Sequence, residues 1–196
     1  MIAIVDYGAG NLASVVKALR YLGRECVVTS DPHVVGCAEK WIIPGVGNFN
    51  ATGPLTIGKL GSVLREGIRT GRPLLGICLG LQWLFEGSAE ASGLRGIGAF
   101  SGRCERFSKE VKSQHVGWNT IVKAGRSRLL AKVSSGSFVY FTHSYRAPVC
   151  GDTAAICTYE APFTAVAERE NLFGVQFHPE KSGDVGLQIL ENFCAL

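Results

Sequence analysis

The sequence predicts an α/β fold: a mostly parallel central sheet with helices on both faces, plus short antiparallel strands in the second half. Three observations predict it. Through the first 86 residues, apolar strand-like runs alternate with segments of helical period, the pattern of a parallel sheet covered on both sides. Beyond residue 96, six strand-like runs follow one another with glycine or charged residues between them. The chain has 196 residues, of which 46% are hydrophobic, which suits one domain spanning 1–196 with a continuous core.

The elements follow in order. IAIVDY (2–7) is a strand that stops at Gly8. Residues 11–22 place Leu12, Val15, Val16, Leu19 and Leu22 at helical spacing, and Gly23 ends that helix. ECVVTS (25–30) and KWIIPG (40–45) are further strands, and 54–71 reads as helical in its second half. RPLLGI (72–77) is a fully apolar strand that runs into a helix beginning near Cys78. The second-half runs are 97–107, 115–122, 137–147, 152–160, 162–170 and 171–179, and an amphipathic helix over 184–196 closes the chain.

Composition narrows the function classes. The net charge is +4, and the basic residues are scattered. The densest group, RSRLLAK (126–132), is interrupted by Leu129 and Leu130 and reads as a solvated face, so no nucleic-acid partner is expected. MIAIVDYG at the start is a strand without the charged and apolar regions of a signal peptide, and no apolar run approaches the roughly 20 residues of a membrane helix. Seven cysteines without any CxxC predict neither a disulfide framework nor a zinc site. Most of them read as small buried apolar residues in a reducing compartment, the cytoplasm. No metal or organic cofactor is implied.

Gly76-Ile77-Cys78-Leu79-Gly80 stands between an apolar strand and a helix. That is the setting of a nucleophile elbow, in which a sharp turn lifts the nucleophile above the sheet and flanking glycines avoid clashes. The positive end of the following helix favours a thiolate there. The competing reading is a buried cysteine in a glycine-rich turn. A nucleophile needs a base. His178 lies at the end of a β-rich run in GVQFHPE, with Glu180 two residues on. In an extended segment the two side chains point the same way, so the carboxylate can orient the imidazole while the imidazole takes the thiol proton. The alternative is an exposed His-Pro-Glu turn. Pro44-Gly45-Val46-Gly47 follows a strand and can present backbone N–H groups. Val46 or Gly47, together with Leu79, would then form an oxyanion hole.

PGVG, LLGICLGLQ and FGVQFHPE, in this order, resemble the class I (triad-type) glutamine amidotransferases. Within that class, DYGAGNL, HVGWN (115–119), FVYFTHSYRA (138–147) and HPEKS are similar to the glutaminase subunits of imidazole glycerol phosphate synthases. The resemblance covers essentially the whole chain. It implies a catalytic triad of Cys78, His178 and Glu180. It also implies a glutamine site formed by Gly47, Gln82, Glu90 and the His143-Ser144-Tyr145 stretch. Gln82, four residues after Cys78, falls on the same helix face, which agrees with that role. The resemblance further implies a heterodimer with a TIM-barrel synthase (cyclase) subunit that receives ammonia in histidine biosynthesis. Asn11, Trp118, Tyr140 and Lys181 match positions that face the barrel.

The chain departs from the family pattern at Asn48 and Asn50 after PGVG, at Trp83 and at Val116. Asn50 stands where a glycine is expected, and the tolerance of asparagine for left-handed backbone would preserve the turn. Two competing functions remain at this level. A paralogue could feed ammonia to another synthase, such as one that amidates a sugar. Gly8-x-Gly10-x-x-Ala13, after a strand and opening a helix, with Asp31 18 residues beyond Ala13, fits a dinucleotide fingerprint and hence an NAD-binding oxidoreductase.

Overall fold

The computed structural model describes residues 1–108 and 114–196. In chain order the first half comprises β1 (Ile2–Val5), α1 (Leu12–Tyr21), β2 (Cys26–Thr29), α2 (Pro32–Cys37), β3 (Lys40–Ile43), α3 (Gly53–Thr56), α4 (Gly58–Arg69), β4 (Leu74–Ile77) and α5 (Leu79–Leu84). The second half comprises β5 (Gly87–Ser88), β6 (Arg103–Arg106), β7 (His115–Lys123), β8 (Ser137–His143), β9 (Tyr145–Arg146), β10 (Thr153–Thr158), β11 (Pro162–Arg169), β12 (Leu172–Val175) and α6 (Gly183–Ala195).

Nine strands form one sheet in the order β2-β1-β3-β4-β12-β11-β10-β7-β8. β2, β1, β3, β4 and β12 are parallel, and from β12 outward every pairing is antiparallel. A second, three-stranded sheet has the order β5-β6-β9. β12 returns from the antiparallel half to pair with β4, with Val175 opposite Ile77. That return brings the 176–180 segment beside the end of β4.

Alternation along the strands sorts the core into two layers. Ile2 and Ile4 pack with Val15 and Leu19 of α1 and with Ile189, Leu190 and Phe193 of α6. Ala3 and Val5 pack with Val35 of α2, Leu60 and Leu64 of α4, and Leu81 and Leu84 of α5. Helices therefore cover both faces of the parallel half. β1, β4 and β12 are buried at all four positions, which is why their sequences are apolar without alternation.

Several expectations are corrected. The antiparallel strands are not the short ones: β7 has nine residues and β11 eight, against four in each parallel strand. The 54–71 segment is helical from Gly53 and broken at Ile57–Gly58, where Gly58 takes φ +71°. α2 is an additional element: Asp31 caps it, accepting from His33 N at 2.9 Å, and Pro32 opens it. Asn48 and Asn50 do not use left-handed backbone: Asn48 is extended and caps a 3₁₀ turn over Phe49–Thr52 by accepting from Asn50 N at 2.9 Å. Trp83 is fully buried and donates to Thr56 Oγ1 at 3.0 Å, so its size fills the core. Only Cys78, Cys104 and Cys157 of the seven free cysteines are buried, and Cys37 is exposed. Leu129 and Leu130 are core residues, and Arg128 pairs with Glu168 at 3.2 Å, so RSRLLAK is a turn anchored on the body of the protein.

Candidate active site

Cys78 sits between β4 and α5 with φ 54° and ψ −102°. A non-glycine residue in this region carries strain on the order of 1–3 kcal/mol and persists only where its surroundings enforce it. They do so here. Cys78 N donates to Val175 O at 2.7 Å, and Cys78 O accepts from Gln82 N at 3.1 Å. Both flanking glycines are demanded by space. A Cβ on Gly76 would stand 2.5 Å from Gly80 O, and one on Gly80 would stand 2.0 Å from Ile43 O. The turn is thus jammed against itself and against the end of β3, and the thiol is projected at the carboxyl ends of the parallel strands.

His178 and Glu180 meet, though not as an extended pair. β12 ends at Val175, His178 is extended, and Pro179–Lys181 form a 3₁₀ turn. That turn wraps the carboxylate back so that Glu180 Oε1 lies 2.7 Å from His178 Nδ1, with both side chains 1% exposed. His178 Nε2 is buried and has no hydrogen-bond partner. Burial opposes a charge on this ring, but Cys78 and Glu180 outweigh it and push its pKa up to about 10. The segment is held from below: His178 N donates to Tyr140 O at 2.9 Å, and Ser182 Oγ donates to His178 O at 2.6 Å while accepting from Tyr140 N at 2.9 Å.

A cavity of about 470 Å³ opens over the thiol. Val46, Gly47, Cys78 and Leu79 line one side, and Gln82 and Glu90 line the same cavity. The β8–β9 stretch supplies Thr142, His143, Ser144 and Tyr145, and Gln114 and Lys181 complete the lining. Every residue read from the sequence as part of an oxyanion hole or a glutamine site therefore borders one space. The PGVG loop is packed closely: a Cβ on Gly45 would meet Tyr7 Oη at 2.3 Å and Leu79 Cβ at 2.6 Å, and Gly47 has φ +96°. Glu90 Oε2 accepts from Phe49 N at 2.8 Å, which ties the cavity wall to the turn after PGVG.

Lys181, read as a partner residue, also borders this cavity, with Nζ 6.0 Å from the Tyr140 ring centroid. Tyr140 in turn stands edge-on to Trp118, with centroids 6.0 Å apart. Asn11 caps α1, accepting from Ser14 N at 3.4 Å. Sequence reasoning missed Gln176, which is fully buried and donates to Cys78 Sγ at 3.6 Å while accepting from Gln82 Nε2 at 3.3 Å. Its signal was a polar residue inside an apolar run, which folding tolerates only with partners. Thr142, Gln114 and Ser182 were also missed.

Gly10 serves the fold. A Cβ on Gly10 would sit 3.4 Å from the Pro44 backbone, so this loop packs against PGVG, and Asp31 is engaged as the α2 cap. Packing and capping thus account for Gly10 and Asp31 without a dinucleotide. Among the described residues no three His, Cys, Asp or Glu side chains are grouped to hold a metal.

Comparison with known proteins places the chain in a family and a fold. Residues 3–196 match the family described as glutamine amidotransferase class-I. The imidazole glycerol phosphate synthase subunit HisH of Thermococcus kodakarensis is 46% identical over 202 residues, covering 100% of both chains. The protein of the same name from Bacillus cereus is 44% identical over 199 residues, covering 98% of this chain and 93% of its own. In fold, the solved structure of PurLQS from Thermotoga maritima superposes with a TM-score of 0.74 at 17% identity, covering 99% of this chain and 97% of its own.

Proposed function

The chain belongs to the class-I glutamine amidotransferase family, and on that premise we propose that it is the glutaminase subunit of an imidazole glycerol phosphate synthase, releasing ammonia from glutamine for a partner synthase subunit. One observation carries the chemistry: a strained cysteine at the mouth of a polar cavity, with a buried His178–Glu180 pair whose Nε2 is unpaired. His178 takes the proton of Cys78, and the sulfur attacks the side-chain amide carbon of glutamine. Backbone N–H groups of Val46, Gly47 and Leu79 receive the oxyanion, each such donor being worth roughly 3 kcal/mol to the transition state. The tetrahedral intermediate collapses as His178 returns the proton to the departing ammonia, leaving a γ-glutamyl thioester. Water, deprotonated by His178, then cleaves the thioester to glutamate and restores the thiol. Glu180 holds the imidazole throughout. Glu90 and the 143–145 stretch hold the amino-acid end of the substrate.

The partner is a TIM-barrel cyclase subunit in a heterodimer. Support comes from the outer face of β7 and β8. Val116, Trp118, Val122 and Phe138 are each 54–59% exposed, an apolar ladder on the edge of the large sheet. Exposed apolar patches of this kind mark interaction sites. Lys181 links this ladder to the cavity, so ammonia released at Cys78 has its exit beside the docking face. In this reading the whole chain, 1–196, acts as one glutaminase domain in the cytoplasm. Among the described residues no helix is long and apolar enough to cross a membrane.

The test is glutamate release by the chain alone, then in a ternary mixture with the nucleotide-loaded barrel protein. Strong stimulation in the ternary mixture is expected. High activity alone would refute the subunit reading. No activity in either mixture, with Cys78 reduced, would direct the search to another acceptor enzyme.

A further inference from the structure

His143, which lines the cavity, is backed by a second histidine, His115, that the reaction above does not use. His115 on β7 stands opposite His143 on β8. His115 Nδ1 is 3.3 Å from His143 Nε2, and His143 Nδ1 is 2.8 Å from Tyr145 O. On the far side, Asn119 Nδ2 is 3.2 Å from His115 Nε2. The His115 ring is clamped between Phe141, with centroids 4.6 Å apart, and Tyr159, 4.3 Å apart, both near-parallel. Both histidines are buried, and burial drives both pKa values down, to about 4 for His115 and about 3 for His143. The rings are therefore neutral, and each has one donor and one acceptor nitrogen.

The hydrogen bonds fix which is which. Tyr145 O can only accept, so His143 carries its proton on Nδ1 and Nε2 is an acceptor. His115 must then donate from Nδ1, which leaves its Nε2 to accept from Asn119. The Asn119 amide is oriented independently: Nδ2 donates to Thr158 O at 3.1 Å, and Oδ1 accepts from Thr120 N at 2.8 Å. The chain of donors runs one way without conflict, which settles an assignment that heavy-atom positions alone leave open. It continues beyond Tyr145. The same carbonyl accepts from Gln82 Nε2 at 2.9 Å, Gln82 also donates to Gln176 Oε1, and Gln176 Nε2 points at the thiol.

We infer that His115 is a positioning residue for the glutamine pocket: it locks His143 as the Nδ1–H tautomer, and His143 in turn holds the Tyr145 carbonyl that orients Gln82. The inference rests on the cavity over Cys78 being the glutamine site. His115 touches no substrate, and its effect falls on groups that bind rather than react. Its loss is therefore read mainly in KM.

Two measurements test it. In ¹⁵N-histidine-labelled wild-type chain at neutral pH, His115 and His143 should both show the Nδ1–H tautomer. In the complex with the barrel subunit, His115→Phe keeps the stacked ring, removes both polar atoms, and should raise KM for glutamine about tenfold, the equivalent of removing one buried hydrogen bond. His115→Asn, which returns a donor near the Nδ1 position, should recover most of that affinity. An Nε2–H tautomer on either ring would overturn the inference, and so would a folded His115→Phe protein with unchanged KM. If His115→Phe fails to fold, His115→Asn and the wild-type tautomers still decide. The tautomer measurement needs no turnover. Nδ1–H tautomers on both rings with no glutamate release even in the ternary mixture would refute the glutamine site and leave only the His115–His143 pairing standing.

Discussion

Replacing Gly80 by alanine tests whether the cysteine turn is locked to the sheet. The added Cβ would lie 2.0 Å from Ile43 O, with Ile43 C at 3.0 Å and its Cγ2 at 3.3 Å. The nearest obstacle is backbone at the end of β3, a fully buried strand end paired to both β1 and β4. A side chain could rotate away; this carbonyl cannot. Relief requires the α5 turn and β3 to separate by about 1 Å, a misplacement that costs on the order of 100-fold in rate when it moves a reacting group. Overpacking of this kind also costs roughly 1–3 kcal/mol of stability. Gly93 is the control, because a Cβ there meets nothing within 4 Å, so Gly93→Ala should stay within about 0.5 kcal/mol of wild type. Urea midpoints report the stability, and glutamate release per reduced thiol in the complex reports the chemistry. Gly80→Ala with wild-type midpoint and wild-type rate would show that the turn is not held by β3, and the argument from its glycines would fail.

Other outcomes follow from the same geometry. Cys78→Ala should abolish glutamine-dependent turnover of the complex while leaving turnover on added ammonia; retained glutamine use would remove Cys78 from the reaction. Trp118→Ala and Lys181→Ala should each weaken binding of the barrel subunit by about tenfold or more without lowering the thermal midpoint, as expected for a central aromatic and a charged contact; unchanged affinity by calorimetry would place the docking face elsewhere. Acid should destabilise the chain through its buried histidines. His115 and His143 sit at about 4 and about 3 when folded, against the ordinary 6.5. Between pH 6.5 and 4 the unfolded chain therefore binds more protons at these two sites, so their contribution to stability is full above 6.5 and falls as pH drops. His115→Phe should make that fall shallower by up to roughly 1.4 kcal/mol per pH unit. An identical acid slope in urea titrations would mean that His115 is not held neutral.

The parallel half was legible because burial on both faces leaves no alternation to confuse with a helix, as in IAIV and LLGI. The cysteine turn was legible because its glycines are a local steric requirement: the Cβ positions of Gly76 and Gly80 meet atoms within the same few residues or on the adjacent strand. The contact between His178 and Glu180 was expected by a partly wrong route. An extended i, i+2 spacing places two side chains on one side, but the 2.7 Å contact comes from the 3₁₀ turn at Pro179. The helix over 32–37 carried an Asp-Pro start signal that was spent on the dinucleotide reading instead.

What stayed illegible depends on register. His115 and His143 are 28 residues apart, and nothing local in HVGWN or FTHSY announces that they face each other. Their meeting needs β7 and β8 paired with Trp118 opposite Tyr140, because a slip of one residue would put the two rings on opposite faces. The same pairing that places Trp118 and Tyr140 outward, where a partner can reach them, places His115 and His143 inward against the cavity wall. One hairpin register therefore decides the docking face and the pocket wall together. A substitution that shifts it should damage partner binding and glutamine binding in parallel, whereas His115→Phe, which leaves the register intact, should damage only the second.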